Sequence, residues 1–342
     1  MLRRFAKVIN DMANENIVAF RFGGDEFLIL IKEEEFQQLV SFADRLVKAL
    51  KDRIVVDYFE SNLTVSMGIV QFPNDGDTID ELLIKADIAM YNAKKAGKNR
   101  YFLFDEQMKL NFNYKISIEN MLRKALKKEA FFIVYQPIVE TRTGKVSSLE
   151  ALLRIRDSHI TPDKFIPIAE ETGLILPIGK WVIKEVVKQI SRWAKRGYES
   201  LPVAINLSPR QFYDASLIDY MKKVLEEYDV DPSLLEIEIT ENVFAEKRHE
   251  TVAILNRLKN LGVRISLDDF GAGYSSLNYL TFMPIDKVKL DKTLKDKFVE
   301  FENIKIMDSL IALVHGLNLK VVTEGVEEIE EYEMMKRAGS DF

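Results

Sequence analysis

The sequence predicts an α/β protein of two units, a smaller α/β unit followed by a βα barrel one strand short of eight. Three observations carry this. The chain has 342 residues, 47% of them hydrophobic, enough for two separate cores. Short apolar runs alternate with longer segments of helical spacing. In the second half that alternation recurs seven times, as strands separated by helices do in a βα barrel. A doubly wound open sheet is the competing layout.

The elements follow in order. Residues 2–12 have helical spacing, and the apolar runs 17–22 and 27–31 flank Gly23-Gly24-Asp25-Glu26, which reads as a hairpin turn. Residues 34–50 are amphipathic, 63–70 read as a strand, 79–96 as a helix stopped by Gly97, and 100–104 as a closing strand. A polar helical stretch, 106–129, has no Pro or Gly to loosen it. The expected division is 1–107, a helical linker 108–130, and 131–342. The seven apolar runs of the last part are 131–138, 146–153, 202–207, 234–239, 263–267, 285–290 and 319–323.

Composition removes several chemistries. A formal charge of −6, from 54 acidic and 48 basic residues, offers no global positive field for DNA. The absence of cysteine excludes disulfides, thiol catalysis and thiolate metal sites, and fits a reducing cytoplasm. With three histidines, zinc is poorly served, so any metal should be hard and oxygen-bound. No apolar run approaches the roughly 20 residues that span a bilayer, and residues 1–7 lack a signal-peptide core. The expected location is cytoplasmic, whether alone or as the cytoplasmic part of a longer sensory protein.

Six successive strands deliver a polar group at or near their carboxyl ends: Glu150, Asn206, Glu238, the pair Asp268 and Asp269, Lys289, and Glu324. In a parallel barrel those ends converge on one face, where catalysis occurs. Five carboxylates in one mouth repel one another unless cations neutralise them, and oxygen ligands suit Mg²⁺ or Mn²⁺. Two such ions about 4 Å apart activate water and stabilise the leaving oxygen of a phosphodiester. The adjacent Asp268 and Asp269 could reach both, and the Lys289 ammonium could hold the water or phosphoryl charge. Each position has an ordinary reading too. Asn206 could belong to a helix start before Pro209, 268–271 could be a simple turn, and Lys289 could be a surface lysine. Their coincidence at six consecutive strand ends favours a site.

Several motifs resemble a known family: Glu150-Ala151-Leu152-Leu153-Arg154, Asn206-Leu207-Ser208-Pro209, Glu238-Ile239-Thr240-Glu241, the run 268–277 beginning Asp268-Asp269-Phe270-Gly271, Lys289-Leu290-Asp291, and Glu324-Gly325-Val326-Glu327. In order and spacing they are similar to the EAL-domain cyclic di-GMP phosphodiesterases. The resemblance implies an EAL-type (β/α)8 TIM-like barrel whose first strand runs antiparallel, and linearisation of cyclic di-GMP to pGpG with two Mg²⁺ or Mn²⁺ ions. It implies that Glu150, Asn206, Glu238 and Asp268 ligate the first metal, while Asp268 and Asp269 hold the second. Lys289 and Glu324 would handle the attacking water, with Glu150 and Asp269 also counted as catalytic. Gln136, Arg154 and Glu327 are the implied substrate-side residues, and Glu241 the anchor of the 268–277 loop, which couples metal binding to homodimer formation in this family. The family continues past Phe342 into a final strand, so the last barrel strand is expected to be missing.

The first unit resembles a GGDEF domain, through Arg21-Phe22-Gly23-Gly24-Asp25-Glu26-Phe27 and Asp87-Ile88-Ala89-Met90-Tyr91-Asn92-Ala93-Lys94. That implies a mainly antiparallel sheet and a nucleotide site at Gly23, Gly24, Asp25 and Glu26, with GTP as its ligand. The family's first strand and helix should precede Met1, and Asn14 and Ile17 stand where its inhibitory Arg-x-x-Asp site would be. The nucleotide site is therefore expected to be degenerate or incomplete. The expected function is cyclic di-GMP hydrolysis. A catalytically silent cyclic di-GMP receptor is the rival, and a diguanylate cyclase is disfavoured.

Overall fold

The computed structural model describes residues 2–32, 36–50, 53–56, 59–62, 64–244, 247–271, 280–300 and 304–342. They divide into two compact units, Met1–Ser117 and Ile118–Phe342.

In the first unit, helix Leu2–Met12 precedes the antiparallel hairpin of β1 (Ile17–Gly23) and β2 (Glu26–Ile31), as the sequence predicts. Gly24 makes the turn at φ 47°, a left-handed conformation that a Cβ disfavours. Helix Phe36–Leu50 buries Phe42, Ala43, Leu46 and Leu50, and Leu46 packs with Ile9 and Ile17. The expected start of this helix at residue 34 lies outside the described residues, as does Leu63 of the expected strand 63–70. An antiparallel pair, β3 (Arg53–Val56) and β4 (Phe59–Asn62), was not anticipated from the sequence. β5 (Ser66–Ile69) pairs in parallel with β6 (Arg100–Leu103) across helix Ile79–Lys95. Thr78 caps that helix by accepting from the Glu81 amide.

The second unit contains one seven-stranded sheet in the order β13-β12-β11-β10-β9-β8-β7. Its strands are β7 (Phe131–Val139), β8 (Val146–Ile155), β9 (Val203–Leu207), β10 (Leu235–Thr240), β11 (Arg264–Phe270), β12 (Lys287–Leu290) and β13 (Lys320–Thr323). All seven expected runs form strands, and β7 is antiparallel to β8 while every later pairing is parallel. The spatial order follows the chain order, which is barrel topology rather than the doubly wound alternative.

A period of two sorts the side chains. On β10, Leu235, Ile237 and Ile239 join the core with Val203, Ile205, Ile265, Leu267, Val288 and Val321. Glu236 and Glu238 alternate with them on the other face, and both are buried. Burying an unpaired carboxylate is costly, so this inward face needs counter-charges. Lys287 answers Glu236 at 2.7 Å.

β7 and β13 are the outer strands of this sheet. Residues 340–342 hydrogen-bond to both sides of the seam between them. The Asp341 and Phe342 amides donate to the Val321 carbonyl at 3.1 Å, and the Asp341 carbonyl accepts from the Thr141 amide at 3.0 Å. The Tyr332 hydroxyl donates to the Thr141 carbonyl at 2.6 Å. Among the described residues the sheet has the expected seven strands, and its open seam is bridged by the Tyr332 side chain and the backbone of residues 340–342.

Candidate active site

Register explains why the polar residues meet. Glu238 pairs with Asn206 on one side and Ser266 on the other, Thr240 with Asp268, and Glu150 with Gln136. Partners in register share a face, so one strand's carboxylate faces the next strand's polar group.

The centre is Lys289 on β12. Its ammonium lies 2.8 Å from Glu324, 3.1 Å from Asp268, 3.2 Å from Glu238 and 3.3 Å from Glu150, with the Lys289 side chain only 3% exposed. Burial works against its charge, but Glu238, Asp268, Glu150 and Glu324 outweigh that and hold the ammonium well above the ordinary lysine range. The Asn206 amide donates to Glu150 at 2.8 Å and so joins the same cluster.

Asp268 and Asp269 present a geometric problem, because neighbours on a strand face opposite ways. Asp269 solves it with φ 55°, in the left-handed region, while the β11–β12 register slips between Leu267 and Phe270. One carboxylate oxygen each from Asp268, Asp269 and Glu324 then lies within 4.8 Å of the other two. Burial, followed by the nearby Asp268 and Asp291, pushes the Asp269 carboxyl up. Burial also raises Glu324, against the pull of Lys289.

Glu238 tests whether this donor set suits a cation. Burial pushes its carboxyl well above the usual range, with Glu150 and Asp268 adding to the rise against the pull of Lys289. Both of its oxygens are buried and accept no hydrogen bond among the described residues. Lys289 at 3.2 Å is an ion pair without hydrogen-bond alignment. Oxygens left in this state, beside other carboxylates and an amide, fit a hard divalent cation.

A cleft of about 490 Å³ follows the seam and reaches the cluster, lined by Gln136, Glu150, Lys289 and Glu324 among others. A larger hollow of about 690 Å³, around Phe132 and Arg156, contains none of the clustered carboxylates. Arg154 shares the Glu150 face of β8, two pleats further along, and its guanidinium donates to the Leu153 carbonyl at 2.8 Å.

The remaining expected residues lie elsewhere. Glu327 is exposed and pairs with Lys292 rather than with the cluster. Glu241 accepts from the Gly271 amide at 3.4 Å, a contact at the base of the expected loop. Residues 272–277 of that loop lie outside the described residues. Gly23, Gly24, Asp25 and Glu26 are exposed in the other unit, where the Arg21 guanidinium donates to the Gly24 carbonyl at 2.8 Å. The network of Lys292, Lys295 and Glu331 beside Glu324 was not foreseen; three lysines at a spacing of three, 289, 292 and 295, are its only trace in the sequence.

A family model described as the EAL domain matches residues 119–342. The chain belongs to the EAL domain family. A second model, described as the diguanylate cyclase GGDEF domain, matches residues 1–100, so the order is GGDEF then EAL. The chain is 38% identical over 323 residues to the bifunctional diguanylate cyclase/cyclic di-GMP phosphodiesterase MucR of Pseudomonas aeruginosa, covering 93% of this chain and 47% of that protein. It is 34% identical over 343 residues to the cyclic di-GMP phosphodiesterase PdeR of Escherichia coli, covering 99% of this chain and 52% of that protein. The chain therefore spans about half the length of these curated relatives. Among solved structures, the PaMucR phosphodiesterase in complex with c-di-GMP matches with TM-score 0.62 and 38% identity, over 66% of this chain and 93% of that one. No helix among the described residues is long and apolar enough to cross a membrane.

Proposed function

We propose that the EAL half hydrolyses cyclic di-GMP to linear pGpG, with two Mg²⁺ or Mn²⁺ ions held by Glu150, Asn206, Glu238, Asp268 and Asp269. The observation that carries this reading is the carboxylate cluster around Lys289, with the buried and unsatisfied Glu238 at its heart. Charge supports two ions. Glu150, Glu238, Asp268, Asp269 and Glu324 carry five formal negative charges when ionised, Lys289 carries one positive, and the remaining −4 equals the charge of two divalent cations. At about 4 Å, two like charges cost roughly 4 kcal/mol at an effective dielectric of 20, so an uncompensated cluster is a strained one.

Bound there, the metal would supply Lewis-acid polarisation and a more acidic water. The chain's own groups do the rest. Water adds to one phosphorus as the P–O3′ bond breaks, and the 3′ oxygen leaves as a hydroxyl by taking up a proton that balances the one the water gives up. Glu324, whose carboxyl burial has raised, is suited to take the proton from that water. Lys289 stays charged and steadies the carboxylates and the developing phosphoryl charge. Arg154 would take a phosphate through its planar fork, and Gln136 and Glu327 would meet the substrate's outer parts. On the same reading the working state is a cytoplasmic homodimer formed through the EAL half, and the Gly23 to Glu26 turn is a site open to GTP.

The test is incubation with cyclic di-GMP and Mg²⁺ or Mn²⁺, following pGpG by chromatography, with Glu150→Ala as control. Turnover in the wild type and its loss in the variant support the reading. Equal turnover in both overturns the role of Glu150, and tight binding without turnover favours a receptor.

A further inference from the structure

Helix Lys292–Glu300 follows β12 directly, and its Lys295 is buried, with its side chain 1% exposed. The ammonium donates to the Gly325 carbonyl at 2.7 Å and to the Glu331 carboxylate at 2.6 Å, and lies 3.0 Å from Asp296. Nothing in the hydrolytic scheme above uses this lysine.

Its partners lie on the segment that carries Glu324. The other oxygen of Glu331 accepts from the Glu327 amide at 2.9 Å and the Glu328 amide at 3.4 Å. Glu331 therefore ties the turn 325–328 to helix Ile329–Ala338, and Lys295 holds Glu331. On the other side of Glu324, its amide donates to the Leu290 carbonyl at 3.1 Å. Gly325 sits at φ 67°, and an added Cβ would come within 2.5 Å of the Lys292 side chain, so the turn is packed close against this helix. Lys289, Lys292 and Lys295 thus grip successive points: the Glu324 carboxylate, the Glu327 carboxylate, and the Gly325 carbonyl with Glu331.

We propose that Lys295 is a positioning residue for hydrolysis, fixing through Gly325 and Glu331 the turn that aims the Glu324 carboxylate at the attacking water. This rests on the reading of the EAL half as a phosphodiesterase. Burial opposes the charge on Lys295, but Glu331 and Asp296 outweigh it and keep the ammonium protonated, so it donates at any working pH. A carboxylate that must meet a water in line with a phosphorus tolerates little displacement, since errors near 1 Å cost up to about a hundredfold in rate. Arg154 and Gln136 hold the substrate from β8 and β7, and of the turn only the Glu327 side chain, which Lys292 holds independently of Lys295, would meet it, so binding should change less than kcat.

The experiment compares Lys295→Met, Lys295→Arg and Glu331→Gln with the wild-type chain in saturating Mn²⁺. It measures kcat and KM for cyclic di-GMP, together with amide hydrogen exchange across 325–331. Expected are a fall in kcat of about tenfold or more for Lys295→Met with KM within about twofold, substantial rescue in Lys295→Arg, and an intermediate loss in Glu331→Gln. The Glu327 and Glu328 amides should exchange faster in Lys295→Met while those of β10 do not. Lys295→Met that is less heat-stable but has wild-type kcat overturns the proposal. If Lys295→Met does not fold, unchanged kcat in Glu331→Gln overturns it. A wild-type chain with no turnover would instead sink the phosphodiesterase reading, and unchanged exchange at Glu327 and Glu328 would then reject the clamp itself.

Discussion

The Lys289 ammonium lies 2.8 Å from a carboxylate oxygen of Glu324, joining β12 to the end of β13 through a buried cation. Three further carboxylates share that ammonium. Lys289→Met should therefore abolish turnover. It should also destabilise the metal-free protein by about 3–5 kcal/mol, the usual cost of stranding buried charge. Urea unfolding in EDTA reads the loss, and added Mn²⁺ should recover part of it by replacing the missing positive charge. An undiminished unfolding midpoint in EDTA would contradict the account of Lys289 as counter-charge.

Asp269 separates chemistry from backbone. Asn tolerates the left-handed conformation that Asp269 adopts, whereas Ala pays about 1 kcal/mol or more there. Both Asp269→Asn and Asp269→Ala should lose at least about a hundredfold in kcat, a typical scale for removing a preorganised electrostatic group. Only the Ala variant should also lose thermal stability. Equal stability in the two variants would rule out backbone strain as what aims this carboxylate.

The pH dependence of the metal-free protein follows from the raised carboxyls of Glu238 and Glu324. A raised folded pKa means the native state binds the proton more tightly than the unfolded chain, where glutamate titrates near about 4.3. Their contribution to stability is full below that value and is lost as pH rises through the raised folded pKa. The melting temperature in EDTA should therefore fall as pH is raised above about 4.3, and Glu238→Gln should flatten that fall. Mn²⁺ should raise the melting temperature more at higher pH, because protons compete with the metal for the same oxygens.

Ca²⁺ should support binding but not efficient hydrolysis. It prefers six to eight ligands at about 2.3–2.6 Å, against about 2.1 Å for octahedral Mg²⁺, so it would hold water in a looser geometry. Turnover with Ca²⁺ alone should fall well below that with Mg²⁺, and added Ca²⁺ should inhibit the Mg²⁺ reaction. Comparable rates in the two ions would argue against a geometry-sensitive site.

The barrel strands were legible because their apolar residues recur in short, regularly spaced runs between helical segments. Ile205, Ile237, Ile265, Val288 and Val321 all pack against helices, so each leaves the same mark on the sequence. The site was legible for a related reason, since a polar residue at the end of a buried strand stands out against that background. What escaped was geometry set by distant partners. β3 and β4 lie in a stretch with polar and charged residues mixed among apolar ones, which gives no clean period of two. Lys295 reads as a solvated helix lysine, and only the Gly325 carbonyl and Glu331, some 30 positions on in the chain, make it a buried donor. Glu327 is expected on the substrate side, yet its side chain is exposed and pairs with Lys292.

The handedness of the backbone at Asp269 also bears on descent. Its codon reaches those of Asn and Gly by one base change, and both residues accept this conformation. Either step removes a carboxylate without disturbing the chain path. If Asp269 serves the proposed hydrolysis, the scaffold sits one mutation away from a folded descendant that retains the cleft and loses that chemistry. A lineage of such proteins can exchange catalysis for sensing while natural selection sees no intermediate that fails to fold.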